Sequence, residues 1–244
     1  GLASKGIATF RYHKRFSTYP ELMEEPFDLY DETIDDAISA YHTLVSDTSL
    51  YFGNVIMLGH SLGAYAMPLI TDSLRNLDGA ILFSANARRL EDLIMYQMAY
   101  LTEFDGTIDD EEEEVIEQNK KGFENIHNRT YTDTTSAEEL LAYWPGLFWK
   151  GIEKYNPVEQ VANDSNTNYL ILQGEKDYQI TMVDFKLWQK GLAEHPNAEL
   201  KSFENLTHLF TPTASEKPGP SDYFMPGNVS IDVIETIANW VLRL

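Results

Sequence analysis

The sequence predicts an α/β fold, a mostly parallel sheet with helices on both faces and one helical insertion. Three features predict it. Short apolar runs with the length of buried strands alternate with amphipathic stretches of helical period, a pattern that builds a parallel sheet covered on both sides. The alternation lapses between residues 86 and 156, where no strand pattern occurs, and then resumes. The composition, 43% hydrophobic and 23% charged over 244 residues, is that of an ordinary globular chain.

GLASKG, at the start, reads as the last turn of a helix, with Lys5 in the turn and Gly6 at its stop. The start of that helix would precede Gly1, so the chain is expected to be a fragment of a longer protein. IATFRY (7–12) reads as a buried strand. DETIDDAISAYHTLVS (31–46) reads as a helix with Ile34, Ile38, Tyr41 and Val45 on one face. Its acids crowd the first turn, where the helix dipole favours them. NVIML (54–58) is a buried parallel strand, followed by a helix from Ser61 to Leu74 that Pro68 should kink or shift. GAILFSA (79–85) is another strand.

The insertion reads as helices near 88–104, 109–127 and 137–153. Its acidic run DDEEEE (109–114) is expected to be a solvated helix start rather than a cation site. NYLILQG (168–174) is a strand, Thr181 and Asp184 open a helix running to Ala193, and AELKSF (198–203) is a strand. A loop bearing Pro and Gly covers 211–228. The last helix starts near Ser230 and is expected to turn Ile231, Ile234, Ile237, Ala238 and Val241 to the core. The expected division is a sheet-bearing core, 1–85 with 157–244, and a helical insertion, 86–156, over one end of the sheet.

The net charge of −21 makes nucleic acid and anionic membranes poor partners. No apolar run approaches the ~20 residues of a membrane-spanning helix, and no signal-peptide pattern opens the chain. A cytoplasmic location is expected, with secretion left open because the true N-terminus can lie elsewhere. The sequons at Asn128, Asn205 and Asn228 weigh little against that. The absence of cysteine excludes disulfides, thiolate metal sites and Cys nucleophiles.

Chemistry concentrates where strands end. Gly59, His60, Ser61, Leu62 and Gly63 form G-x-S-x-G directly after NVIML and directly before a helix. A turn this sharp strains the serine backbone and lifts its hydroxyl above the sheet. Gly59 and Gly63 are expected to relieve the crowding, and the helix points its positive end where an oxyanion would form. A nucleophilic Ser needs a base, and the base an orienting acid, in the chain order Ser, Asp or Glu, His. Asp177 follows the strand LILQG, with Glu175 as the rival acid nearer the strand end. His208 follows AELKSF. The other histidines fit less well: His60 is expected to point away from the site, His42 and His195 belong to helices, and His127 to the insertion. His13 follows the first predicted strand as a substrate contact or an exposed loop residue.

These residues resemble the α/β-hydrolase superfamily, above all lid-bearing bacterial serine esterases of the cinnamoyl-ester-hydrolase-like and dienelactone-hydrolase-like kind. The matching stretches are GIATFRYHKR, VIMLGHSLGAYAMPLI, YLILQGEKDYQIT and LTHLF, and the likeness covers nearly the whole chain. It implies Ser61 as nucleophile, Asp177 as acid, His208 as base and the Leu62 N–H as an oxyanion-hole donor. It also implies that 86–156 is a lid. Relatives commonly have RYDKR where this chain has His13 in RYHKR. In such proteins three strands, and the loop with the second oxyanion N–H, precede the segment GLASKGIATFRY.

The resemblance implies carboxylic-ester hydrolysis through an acyl-enzyme, with no metal and no organic cofactor. The expected partner is a small-molecule ester, and a homo-oligomer is left open. The alternatives are a peptidase or amidase of the same fold, such as an aminopeptidase, and a catalytically incomplete binding scaffold. In the lid, Tyr96, Tyr100, Tyr143, Trp144, Phe148 and Trp149 are read either as a pocket for an apolar group or as core packing.

Overall fold

A computed structural model describes the chain except residues 25, 50–52, 75 and 76. The elements run α1 (Arg15–Thr18), α2 (Asp35–Ser46), β1 (Ile56–His60), α3 (Leu62–Ser73), β2 (Gly79–Phe83), α4 (Leu90–Asp105), α5 (Asp110–His127), α6 (Gly146–Ile152), α7 (Pro157–Asn163), β3 (Asn168–Gly174), α8 (Met182–Gly191), β4 (Ala198–Phe203) and α9 (Ile231–Val241), with short 3-10 turns between some of them. The strands form one parallel sheet in the order β1-β2-β3-β4. All four carboxyl ends therefore lie on one side.

Strand alternation explains how both faces are filled. In β3, Tyr169 turns to α3, where its hydroxyl lies 2.8 Å from Thr71 Oγ1. Its neighbours Leu170 and Leu172 turn the other way and pack with Ile81, Phe83, Phe203, Phe210 and the α9 residues Val233, Ile237 and Trp240. Gly79 belongs to that second face. A Cβ there would sit 2.6 Å from the Trp240 ring, so the smallest residue makes room for the largest. Trp188 of α8 is fully buried, and its Nε1–H donates to the Ala85 carbonyl at 2.8 Å. The buried Asp184 carboxylate accepts from Ala87 N–H at 3.0 Å.

Several expectations are corrected. IATFRY forms no strand: residues 7–12 lie outside the sheet, and Phe10 and Tyr12 are exposed. Propensity alone does not make a strand, which needs a partner across the ladder. Ile231 is exposed, and the buried stripe of α9 is Val233, Ile237, Ala238 and Trp240. Ile34, which ends a π-helical turn (Tyr30–Ile34) just before α2, is buried, but Val45 of α2 is exposed. The expected helix over 137–153 is broken into 3-10 turns and α6, with Ala142 and Tyr143 at positive φ. Pro68 sits inside α3, and the helix runs through it from Leu62 to Ser73. Gly6 ends the first turn in the left-handed region, as its position after Lys5 suggested (φ 82°).

The chain divides into two compact units. The first, residues 1–12, 37–87 and 157–244, holds the sheet. The second, 13–36 and 88–156, is helical and includes a stretch that strand–helix alternation assigned to the core. Within it Phe16, Phe27, Phe148 and Trp149 are buried together, with Phe16–Phe27 and Phe27–Phe148 ring centroids at 5.1 and 6.1 Å. Phe148 and Trp149 are thus core packing. Lys14 pairs with Glu32, and Arg15 Nε donates to Asp36 at 2.8 Å. His13 is exposed in this unit. In the acidic run, Asp109 accepts from Glu112 N–H at 2.9 Å while the Glu112 side chain accepts from Asp109 N–H at 3.1 Å, a reciprocal cap that starts α5.

Candidate active site

β1 runs into α3 through a single residue, Ser61, with φ 56° and ψ −120°. A non-glycine residue in this region stores of order 1–3 kcal/mol and persists only where its surroundings hold it. They hold it here: Ser61 N–H donates to the Phe83 carbonyl at 3.0 Å, and the Ser61 carbonyl accepts from Ala64 and Tyr65 N–H, both at 2.9 Å. The turn needs glycine at one of its two flanks. A Cβ on Gly59 would lie 2.4 Å from the Gly63 carbonyl oxygen, whereas a Cβ on Gly63 would meet nothing within 4 Å. The expectation that both glycines relieve crowding is corrected: Gly63 is the neighbour that Gly59 makes room for. Leu62 begins α3, where the first backbone N–H groups have no intrahelical acceptor.

Asp177 lies in the turn just past β3 and is buried. Its Oδ1 accepts from Gln179 and Ile180 N–H, both at 2.9 Å. Its Oδ2 accepts from Gln173 Nε2 at 3.2 Å and from His208 Nδ1–H at 2.7 Å. Four donors thus fix one carboxylate. Glu175, the rival, is exposed and accepts from Ser202 Oγ at 2.6 Å instead. The acid turn is buttressed from behind: Tyr178 stacks on Tyr223 at 5.8 Å, and Gln179 Nε2 donates to the Tyr223 hydroxyl. Burial raises the pKa of both tyrosines.

His208 is buried on a loop just past β4. The loop is pinched by a Leu206–Pro212 bridge, by Thr207 N–H donating to the Thr211 carbonyl at 3.0 Å, and by a left-handed Phe210 (φ 56°). It is tied to the acid turn by Lys176 N–H donating to the Leu206 carbonyl at 2.9 Å.

His60, expected to point away, does the opposite. Its ring lies 4.4 Å from the His208 ring, and its Nε2 is 2.9 Å from the His208 carbonyl oxygen. Strand register carried the missed signal. His60 pairs with Phe83, and in-register residues of adjacent strands share a face. Phe83 packs on Phe210, two residues past His208. Burial first, and His208 second, lower the pKa of His60 below its ordinary 6.5.

Ser61, Asp177 and His208 each lie just past the carboxyl end of a strand of the one parallel sheet. Asp177 bonds His208, and His208 packs on the residue before Ser61. His42, His127 and His13 are exposed, and His195 bonds the Asp164 carbonyl at 2.8 Å.

Comparison with known proteins adds the fold. No family model matches the chain. It is 30% identical over all 244 residues to "Esterase EstD" of Thermotoga maritima, and it spans 55% of that protein's length. Among solved structures it resembles the Pyrococcus furiosus esterase Pf2001 (TM-score 0.50, 10% identity, 86% of this chain and 61% of that one). It also resembles Est1E of Butyrivibrio proteoclasticus with ferulic acid bound (TM-score 0.50, 17% identity, 89% and 69%). Its fold is α/β and similar to that of these solved esterases, and its sequence is similar throughout to part of a curated esterase.

Proposed function

We propose that this chain carries the catalytic residues of a serine carboxylic-ester hydrolase. The observation that carries the reading is the 2.7 Å bond from His208 Nδ1–H to Asp177, with His208 packed on the residue before a strained Ser61. That bond makes the Nδ1–H tautomer of His208 the favoured one and leaves Nε2 able to accept a proton. In the proposed reaction Nε2 takes the Ser61 proton as Oγ attacks the ester carbonyl carbon. The Leu62 N–H receives the oxyanion, and the imidazolium is steadied by Asp177. The protonated Nε2 then gives its proton to the departing alkoxide, leaving an acyl-Ser61. Water, deprotonated by the same nitrogen, releases the acid and restores the hydroxyl. The esterase relatives and the ferulic acid held by Est1E direct the first substrates toward esters of aliphatic and aromatic acids.

The test is intact-mass spectrometry after treatment with a fluorophosphonate, with Ser61→Ala as control, followed by ester and amide panels. One adduct that maps to Ser61 and vanishes in the variant, with ester turnover, supports the reading. Amide turnover of comparable rate moves it to a peptidase. No adduct on folded protein overturns it in favour of a binding scaffold.

A further inference from the structure

His208 sits on a loop, and a single bond from Nδ1 to Asp177 leaves its ring free to pivot about that axis. His60 removes both freedoms. A carbonyl oxygen only accepts, so the 2.9 Å contact requires that His60 Nε2 carry the hydrogen and donate it to the His208 main chain. The His60 ring, tilted 47° to that of His208 at 4.4 Å, closes one side of the pivot. His60 also ends β1, in register with Phe83, and is joined to Ser61 by one peptide bond.

We propose that His60 is a positioning residue, locking the His208 loop and ring to the strand that delivers Ser61. The inference rests on the Ser61–His208–Asp177 reading. Its consequence is that the nucleophile and the clamp on its base move together, so their separation depends on one rigid link rather than on two independent loops. Such registration matters because a misplacement of about 1 Å costs on the order of 10²-fold in rate. The groups whose charge acts on His60 are His208, past β4, and Asp177, past β3. Burial keeps His60 uncharged at neutral pH, so it supplies a hydrogen bond without placing a second cation against the imidazolium that forms on His208.

The experiment compares His60→Phe, which keeps a ring and loses the donor, with His60→Gln, whose amide can still donate to the carbonyl. Ester kinetics and the pH–rate profile are measured alongside the NMR signal of the His208 Nδ1 proton, which needs no turnover. The Phe variant should lose roughly 10- to 100-fold in kcat with KM within about twofold, and Gln should recover most of it. The Nδ1 proton signal, sharp in the unaltered protein, should broaden in the Phe variant and sharpen again in the Gln one. If the Phe variant does not fold, His60→Asn, too short to span the bond, takes its place.

Equal kcat in all variants, or a Nδ1 signal indifferent to the donor, overturns the inference. If the unaltered protein shows no Ser61-dependent turnover, the hydrolase reading fails. The NMR comparison still decides whether His60 positions His208.

Discussion

Gly174 passes so close to Leu206 that a Cβ on it would sit 2.4 Å from the Leu206 carbonyl oxygen and 2.5 Å from that of Thr207. These carbonyls belong to the loop that carries His208, while Gly174 leads into the turn that carries Asp177. The absent side chain therefore sets the distance between acid and base. Gly174→Ala should push the two loops apart at a cost of about 1–3 kcal/mol in stability, the usual penalty for forcing an extra methyl into a packed site. Ester turnover should fall further than thermal stability does. Denaturant unfolding and kcat on one ester check both, and an alanine variant with unaltered kcat would show that the loops tolerate the separation.

The two glycines of the elbow should behave differently. Gly59→Ala meets the Gly63 carbonyl at 2.4 Å and must break the turn, so the variant is expected to lose fluorophosphonate labelling or fail to fold. Gly63→Ala meets nothing, and in the first turn of α3 it should stabilise by up to about 1 kcal/mol through helix propensity. Parallel melting curves and labelling of the two variants test the asymmetry. Equal damage from both would contradict it.

The sheet was legible because its strands are short apolar runs between turn signals. All four lie within a residue or two of where apolar length placed them, and AELKSF and NYLILQG match their strands end to end. The candidate site was legible for the same reason, since Ser61, Asp177 and His208 each follow a strand end. What failed depended on partners distant in sequence. IATFRY has strand composition, but strand formation is decided by what lies alongside. The orientation of His60 is set by register with Phe83 across a crossover helix, which no local pattern encodes. The α9 stripe was displaced because Ile231 and Ile234 fit a helical face as well as Val233 and Trp240 do. In the structure Trp240 fills the space beside Gly79, Val233 and Ile237 pack with it, and Ile231 stays exposed.

Protonation of His60 should oppose folding. Its pKa is lowered in the folded state from the ordinary 6.5, by burial first and by His208 second. Between the folded and unfolded values the unfolded chain binds more protons, so stability rises with pH across that window and falls as pH drops below 6.5. His60→Gln removes this part of the slope. Denaturant midpoints at pH 7.5 and 5.5 should therefore differ less in the variant than in the unaltered protein. An identical difference would assign the slope to other groups.

Asp177→Asn separates the structural role of that carboxylate from its chemical one. The asparagine Oδ1 can keep both backbone donors, Gln179 and Ile180 N–H, so the turn should survive. The amide nitrogen then takes the place of Oδ2 and, being a donor itself, faces the two groups that donate to Oδ2 in the unaltered protein, Gln173 Nε2 and His208 Nδ1–H. His208 can answer by moving its hydrogen to Nε2, the tautomer unable to take the Ser61 proton. The Gln173 amide is left against another donor, at a cost of about 1–3 kcal/mol. The expected result is a fall in kcat of about 10⁴-fold, the effect of forcing the wrong tautomer, with a much smaller loss of melting temperature. Glu175→Gln, altering an exposed carboxylate held by Ser202, should leave kcat unchanged. If Glu175→Gln proved the more damaging of the two, the acid would have been assigned to the wrong residue.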